Sequence, residues 1–292
     1  MSFILGYVAL VVGGYRHKEA ELYSPDGNCQ HNLAPVPISS DGFYMPVLAF
    51  IDHKILACGG DENKNCFQYH PNNDTRSIFS ISKSIHSDFP GEIFNEKLFL
   101  ADCCSPEVLD PVSNTWSSWP SFISFGSGTG VGSCLVAWQD TFILLRGKVS
   151  VSSMQSFNHS TNTWEVVDLR PVPMGICDSS CVLLPSDEIL VVGSAGTPDQ
   201  SSAALYNMKA NSWKELPKTT YCRDGASLVI LGSRIFAMDG LYNNTVEEFD
   251  YNTSSWSPVA AKLITHRGGY QDVIALPAEM FQHLPGGCVG VQ

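Results

Sequence analysis

Arg223 and Arg267 occupy matching places in two stretches, Tyr221-Cys222-Arg223-Asp224 and Thr265-His266-Arg267, each just ahead of an apolar segment. A guanidinium offers a planar fork of donors that fits a carboxylate. On a chain of formal net charge −12, such groups gathered on one surface would select an acidic peptide or another carboxylate. The plainer alternative is that each arginine is solvated or paired with a neighbouring Asp or Glu, such as Asp224. Comparable loop segments carry Arg16 and His17 in Tyr15-Arg16-His17-Lys18, Tyr44 beside Phe43, and His86 in Ile85-His86-Ser87. Tyr242 sits in Leu241-Tyr242-Asn243-Asn244, and His266 lies beside Arg267. Asp61-Glu62-Asn63-Lys64 and Thr197-Pro198-Asp199-Gln200 are loops of the same kind. Tyrosine beside arginine is the composition of interface hot spots.

Signs of catalysis are absent from the sequence, and no catalytic residue is assigned. Gly126-Ser-Gly-Thr-Gly-Val-Gly132 looks like a phosphate loop, but it lacks the P-loop lysine and precedes a strand instead of a helix. It reads as a connection. There is no G-x-S-x-G elbow and no H-E-x-x-H pair. The eight histidines, His17, His31, His53, His70, His86, His159, His266 and His283, are scattered. No repeated C-x2-C or paired-His spacing points to zinc, so neither a metal nor another cofactor is expected.

The ten cysteines and the N-x-S/T acceptors bear on compartment. Cys58 and Cys66 bracket one loop between strands and are a disulfide candidate. Cys29 and Cys288 could staple the two ends of the chain. Cys177 and Cys181 are a weaker pair, and Cys103-Cys104 is vicinal. The alternative is reduced, buried thiols. Asn73, Asn158, Asn243 and Asn252 fall in turns and are candidate glycosylation sites. Together these favour an extracellular protein over a cytoplasmic one. The apolar opening MSFILGYVALVVGG lacks a basic start, so it reads as structure and not as a signal peptide.

These residues need a scaffold, and internal repetition supplies it. Trp116, Trp164, Trp213 and Trp256 recur at spacings of 48, 49 and 43. Seven residues before each lies Leu109, Phe157, Tyr206 or Phe249, and five after that residue stands Asn114, Asn162, Asn211 or Ser254. Tyr23 and Tyr69 begin two further copies, with Gln30 and Arg76 at the tryptophan position. The tryptophans therefore read as packing between repeats, not as a ligand cage. Ahead of each copy, an apolar strand ends at Gly14, Gly60, Asp102, Gly147, Ser194 or Gly240, in steps of 46, 42, 45, 47 and 46. With a further apolar strand before most of these, each unit reads as four antiparallel strands. Charged residues make up 16% of the 292 residues, against 24 Gly and 17 Pro, which suits strands and turns.

The Gly13-Gly14 and Gly59-Gly60 pairs and the aromatic-x6-Trp pattern resemble the kelch-repeat family. The resemblance spans nearly the whole chain. Ala101-Asp102 and Arg146-Gly147 depart from the glycine pair, and Leu109 replaces the aromatic. The resemblance implies an all-β, six-bladed β-propeller. The first copy lacks a first strand and Tyr270–Leu276 is left over, so a C-terminal strand should complete blade 1. Expected blades are 1–40 with 270–277, 41–88, 89–122, 123–174, 175–220 and 221–269, followed by a tail at 278–292.

A kelch propeller presents loops on a rigid face, which implies a non-catalytic protein-protein interaction module. The expected partner is a protein or peptide of acidic character. A carbohydrate is the alternative for a secreted propeller. A kelch-type enzyme, a sugar mutarotase or an oxidase-like protein with copper on Tyr and His, would need groups converging in the central funnel. The chain shows no BTB-like partner domain, and actin binding would rest on fold analogy alone. The acidic balance disfavours nucleic acid, and no segment is apolar enough to insert in a membrane.

Overall fold

The computed structural model describes residues 6–40, 42–60, 63–86, 90–101, 105–123, 134–148, 151–167, 173–174, 178–193, 200–284 and 288, with the side chains of 146–148 and 151–153 left aside. Blade 1 contributes β1 (Tyr7–Gly13), β2 (Ala20–Tyr23) and β3 (Gln30–Leu33). Blade 2 holds β4 (Pro46–Ile51), β5 (Lys54–Gly59), β6 (Asn65–His70) and β7 (Thr75–Ile81). Blade 3 holds β8 (Gly91–Phe94), β9 (Lys97–Leu100), β10 (Glu107–Asp110) and β11 (Thr115–Ser118). Blade 4 holds β12 (Cys134–Trp138), β13 (Thr141–Lys148), β14 (Val151–Asn158) and β15 (Thr163–Val167). Blade 5 holds β16 (Ser180–Leu184), β17 (Glu188–Val192), β18 (Ala203–Asn207) and β19 (Ser212–Leu216). Blade 6 holds β20 (Ser227–Leu231), β21 (Arg234–Met238), β22 (Val246–Asp250) and β23 (Ser255–Pro258). The last strand, β24 (Gln271–Pro277), pairs with β1 from Tyr7↔Pro277 to Gly13↔Gln271 and closes the ring. Each of the six sheets has four strands. All of these pairings are antiparallel, as the repeats require.

The repeat landmarks have direct structural causes. The third- and fourth-strand positions face each other in register: Leu109↔Trp116, Phe157↔Trp164, Tyr206↔Trp213 and Phe249↔Trp256. Ring centroids of the last three pairs lie 5.4, 5.0 and 4.8 Å apart. The turn between them needs a left-handed residue, which Asn114, Asn162, Asn211, Ser254 and Asp74 supply at φ of 47 to 56°.

The same tryptophans pack against the preceding blade. Trp116 joins the β5 and β9 residues of one cluster, and Trp164 joins Phe99 and Phe142 of another. Their indole N–H groups donate to Ser80 Oγ at 2.8 Å and to the Pro120 carbonyl at 3.0 Å. The two polar substitutes do the same work. Arg76 lies over Tyr69 at 4.9 Å and donates to the Ala34 carbonyl at 2.8 Å. Gln30 donates to the Lys262 carbonyl. Position, not residue type, is what the ring requires here.

Three cysteine pairs lie at disulfide distance. Cys58–Cys66 bridges β5 and β6, with Cα atoms 4.0 Å apart. Cys29–Cys288, with Cα atoms 4.7 Å apart, draws the tail onto blade 1, and Phe281 stacks on Tyr69 of blade 2. Cys181 pairs with Cys134, at 5.6 Å, which corrects the pairing with Cys177 and ties blade 4 to blade 5. Spacing in sequence could not show this, because the two residues start neighbouring innermost strands. Cys103, Cys104, Cys177, Asp61, Glu62, Ser87, Asp102, the 126–132 segment, Ser194 and Thr197–Asp199 lie outside the described residues. No described helix is long and apolar enough to cross a membrane.

Candidate functional site

One end of the ring gathers the loops joining second to third strands and the loops leading into each first strand. Gly14 shows why glycine recurs there. At φ +126° its Cα faces the Arg267 carbonyl, and a Cβ would come within 2.6 Å of that oxygen. The loop entering β24 therefore lies directly on the end of β1.

A side-chain clamp fastens several of these incoming loops. Arg267 is fully buried. Its Nη2 and Nε donate to Glu21 Oε1 at 2.8 and 3.2 Å, and its Nη1 donates to the Gly13 and Glu19 carbonyls. Glu21 also accepts from the Ile264 and Thr265 amides. Arg223 repeats the arrangement with Glu247 at 2.8 Å and with the Asp239 and Thr245 carbonyls. His86 repeats it with Glu107 at 3.0 Å. In blade 4, the buried Gln155 exchanges two hydrogen bonds with the Ile123 backbone, both 2.8 Å. Each acceptor lies two residues before the repeat's large apolar residue: Glu21 and Tyr23, Glu107 and Leu109, Gln155 and Phe157, Glu247 and Phe249. That offset is the sequence signal that would have revealed the clamp.

The innermost strands enclose a central cavity of about 280 Å³. Its rim at the loop end is a chain of backbone hydrogen bonds, Met45 N to Tyr270 O, Tyr270 N to Gly225 O and Gly225 N to Asp178 O, at 2.8, 2.7 and 3.0 Å. The Tyr44 and Tyr270 rings meet there, centroids 4.7 Å apart, and Tyr15 approaches Tyr44 at 6.2 Å. Carboxylates line the wall: Asp178 at the rim, Glu92 and Asp272 deeper. Burial pushes the Glu92 carboxyl up to about 7, with the Asp272 charge adding to it. Burial likewise lifts Asp272 to about 6, although it accepts hydrogen bonds from the Leu48 and Val273 amides. Asp224, behind the rim, rises to about 6 through burial and then the Asp178 charge. Burial and these same two aspartates hold the Tyr270 phenol far above its ordinary value. Among the described lining residues there is no Lys, Arg or His.

The residues expected from sequence divide into two groups. Arg16, Tyr221, Tyr242 and His266 are exposed in these loops, and Tyr44 and His17 are half-buried there. His17 pairs with Glu19 at 3.0 Å. Arg223, Arg267 and His86 require correction. They are buried in the clamps and are turned away from any partner. The pairing alternative holds for both arginines, but the acid is Glu247 for Arg223, not the adjacent Asp224, and Glu21 for Arg267. Asp178, Glu92, Tyr270, Gln271 and Asp272 were not singled out as a site, and Asp224 was named only as a partner for Arg223, because only closure of the ring brings them together. Asn73 and Asn252 are exposed in turns. Asn158 instead donates its amide to Glu165 at 2.6 Å, and Asn243 donates its own to the Cys222 carbonyl at 2.9 Å. Those two amides serve the fold.

No protein-family model matches the chain. Among curated proteins, an F-box/kelch-repeat protein of Arabidopsis thaliana is 26% identical over 98 residues, 31% of this chain and 26% of that protein. Kelch-like protein 21 of Homo sapiens is 28% identical over 112 residues, 36% of this chain and 18% of the relative. The matches thus span about a quarter or less of those relatives' length. A fungal alcohol oxidase of the AA5 family, solved in complex with copper, superposes with TM-score 0.63 at 16% identity, covering 89% of this chain and 64% of that one. YjhT superposes with TM-score 0.65 at 12% identity, covering 85% and 96%. These two likenesses show the fold alone. Copper would need clustered donors, and no three His, Cys, Asp or Glu among the described residues are grouped to hold a metal ion. With kelch-repeat proteins as its curated relatives and six four-stranded blades in its ring, the chain is consistent with a kelch-repeat propeller.

Proposed function

We propose that the chain is a non-catalytic protein-interaction module that receives a segment of its partner on the loop face, over the mouth of the central cavity. The observation that carries this reading is the exposure of Tyr15, Ile85, Tyr221, Tyr242 and Ile264 in loops at one end of the ring, around the Tyr44–Tyr270 pair. Exposed rings and aliphatic groups on a scaffold held by clamps lose little entropy on binding, and such side chains anchor interfaces. The kelch-repeat relatives support the same reading. The test is selection of a random dodecapeptide library on the immobilised full chain. Peptides whose binding is lost in the Tyr15→Ser, Tyr221→Ser, Tyr242→Ser triple variant support the reading. Selected peptides indifferent to the triple variant, or no selected peptide at all, would refute it.

A second reading, a sugar-active enzyme, is favoured by one observation. Glu92 and Asp272 face one cavity with carboxyls lifted toward neutrality, the range in which general acid–base groups operate. Faster exchange of aldose anomers, followed by NMR and abolished by Glu92→Gln, would support it. Exchange at the buffer rate would exclude that chemistry.

A further inference from the structure

We infer that the group this face accepts is a cation: a Lys or Arg side chain of a basic partner segment, inserted through the rim past Asp178 and toward Gln271, with Asp224 close behind. The inference rests on the interaction reading above and adds the chemistry of the partner. It reverses the acidic partner expected from Arg223 and Arg267, whose donors are consumed inside the blades.

Two buried acceptor atoms, one on Gln271 in the cavity wall and one on Asp224 behind the rim, have no protein donor among the described residues. Asp224 is 4% exposed; its Oδ2 accepts from Gln200 at 3.2 Å, while its Oδ1 has no hydrogen-bond partner. Gln271 is 6% exposed and lines the cavity. Its Nε2 donates to Ser227 Oγ at 3.1 Å and to the Met238 carbonyl at 3.3 Å, and its Oε1 is likewise unpartnered. Desolvated acceptors without donors are what a donor-rich ligand completes. The remaining charged lining is Glu92, Asp178 and Asp272, so an anion entering here would meet repulsion at every depth.

Three basic side chains of the described loops already have partners of their own. Lys18 donates to the Ile38 carbonyl and Lys64 to the Lys83 carbonyl, at 3.4 and 2.6 Å. Arg16 lies over the Tyr15 ring at 5.3 Å, outside the rim. The cavity, about 280 Å³, falls just below the roughly 300–1,000 Å³ of small-molecule pockets and suits one long side chain. Tyr44 and Tyr270 offer ring surface to its aliphatic stem and its charge. A net charge of −12 steers a basic segment toward the protein.

The dodecapeptide selection also tests this step. Selected peptides should carry Lys or Arg, and fluorescence anisotropy should show a hexa-arginine peptide binding where a hexa-glutamate peptide does not. Asp224→Asn should weaken hexa-arginine binding about tenfold, the loss of one charge-assisted contact. Asp178→Asn, at a half-buried rim residue, is the second variant should Asp224→Asn fail to fold. Acidic or neutral peptides that still require Tyr15, Tyr221 and Tyr242 would overturn the cation while sparing the interaction reading. Hexa-arginine affinity unchanged in both aspartate variants would overturn it as well. Peptides independent of the loop face would remove both.

Discussion

The clamps beneath the incoming loops and the rim of the central cavity lie at the same end of the ring, and they treat charge in opposite ways. In the clamps, Arg223, Arg267 and His86 each meet a glutamate, and backbone carbonyls and amides take most of the remaining donors and acceptors. At the rim, carboxylates face a cavity with no cation among its described lining. The difference is one of pairing: Arg223, Arg267 and His86 are matched by Glu247, Glu21 and Glu107 inside the blades, whereas the cavity lining carries carboxylates with no described cation beside them. A buried ion pair adds little net stability over an apolar substitute, but breaking one partner leaves an uncompensated charge.

That contrast can be broken from the clamp side first. Arg267→Met strands Glu21 in a dry site and should cost about 3–5 kcal/mol in denaturant unfolding. The double variant Glu21→Leu, Arg267→Met should recover most of that loss. A single variant with wild-type stability would show that the pair is dispensable. The tail bridged to blade 1 gives the next effect. Cys288→Ser opens a closure of sequence separation 259 and should cost about 2–4 kcal/mol, read as a lower thermal midpoint under non-reducing conditions. Intact mass after alkylation without reductant should show six cysteines, Cys29, Cys58, Cys66, Cys134, Cys181 and Cys288, unmodified because they are disulfide-bonded.

The rim and its surroundings should instead answer to pH. Glu92, Asp224, Asp239 and Asp272 all have folded-state values raised above their ordinary ones, to about 7, 6, 7 and 6. Their contribution to stability is complete below about pH 4 and is lost as pH climbs through 6 to 7. Asp110, Asp187 and Asp250, held low chiefly by hydrogen bonds, act in the opposite sense and lose their contribution as pH falls below about 4. The thermal midpoint should therefore peak near pH 4 and decline toward pH 8. A midpoint that rises steadily from pH 5 to 8 would contradict the raised values. The smallest effect is that of Asp224→Asn, which should raise stability at pH 8 by about 1 kcal/mol while weakening cation binding. Stability and binding that fell together would place Asp224 with the clamps instead of the rim.

Much of the ring is legible in the chain because its signals are local and repeated. The left-handed turn residue, the aromatic and the tryptophan follow one another within seven positions, and six copies reinforce one reading. Closure by β24 follows from counting strands. The clamps were half legible. Arg223 and Arg267 stood out as equivalent, but their partners lie 24 and 246 residues away, so the direction of each side chain was not. Asp178, Asp224 and Gln271 carry no motif, and ordinary polar residues become a site only where first strands converge.

The sequence by itself therefore determined the period, the blade, the number of blades and the strand that closes them, since each depends on contacts between chain neighbours or on arithmetic over repeats. Tertiary structure alone decided which charges are buried and which face the cavity, and that Cys134 meets Cys181. Those outcomes depend on distances between blades. Closing the ring sets them, and it turns the arginines inward and leaves the carboxylates around the mouth.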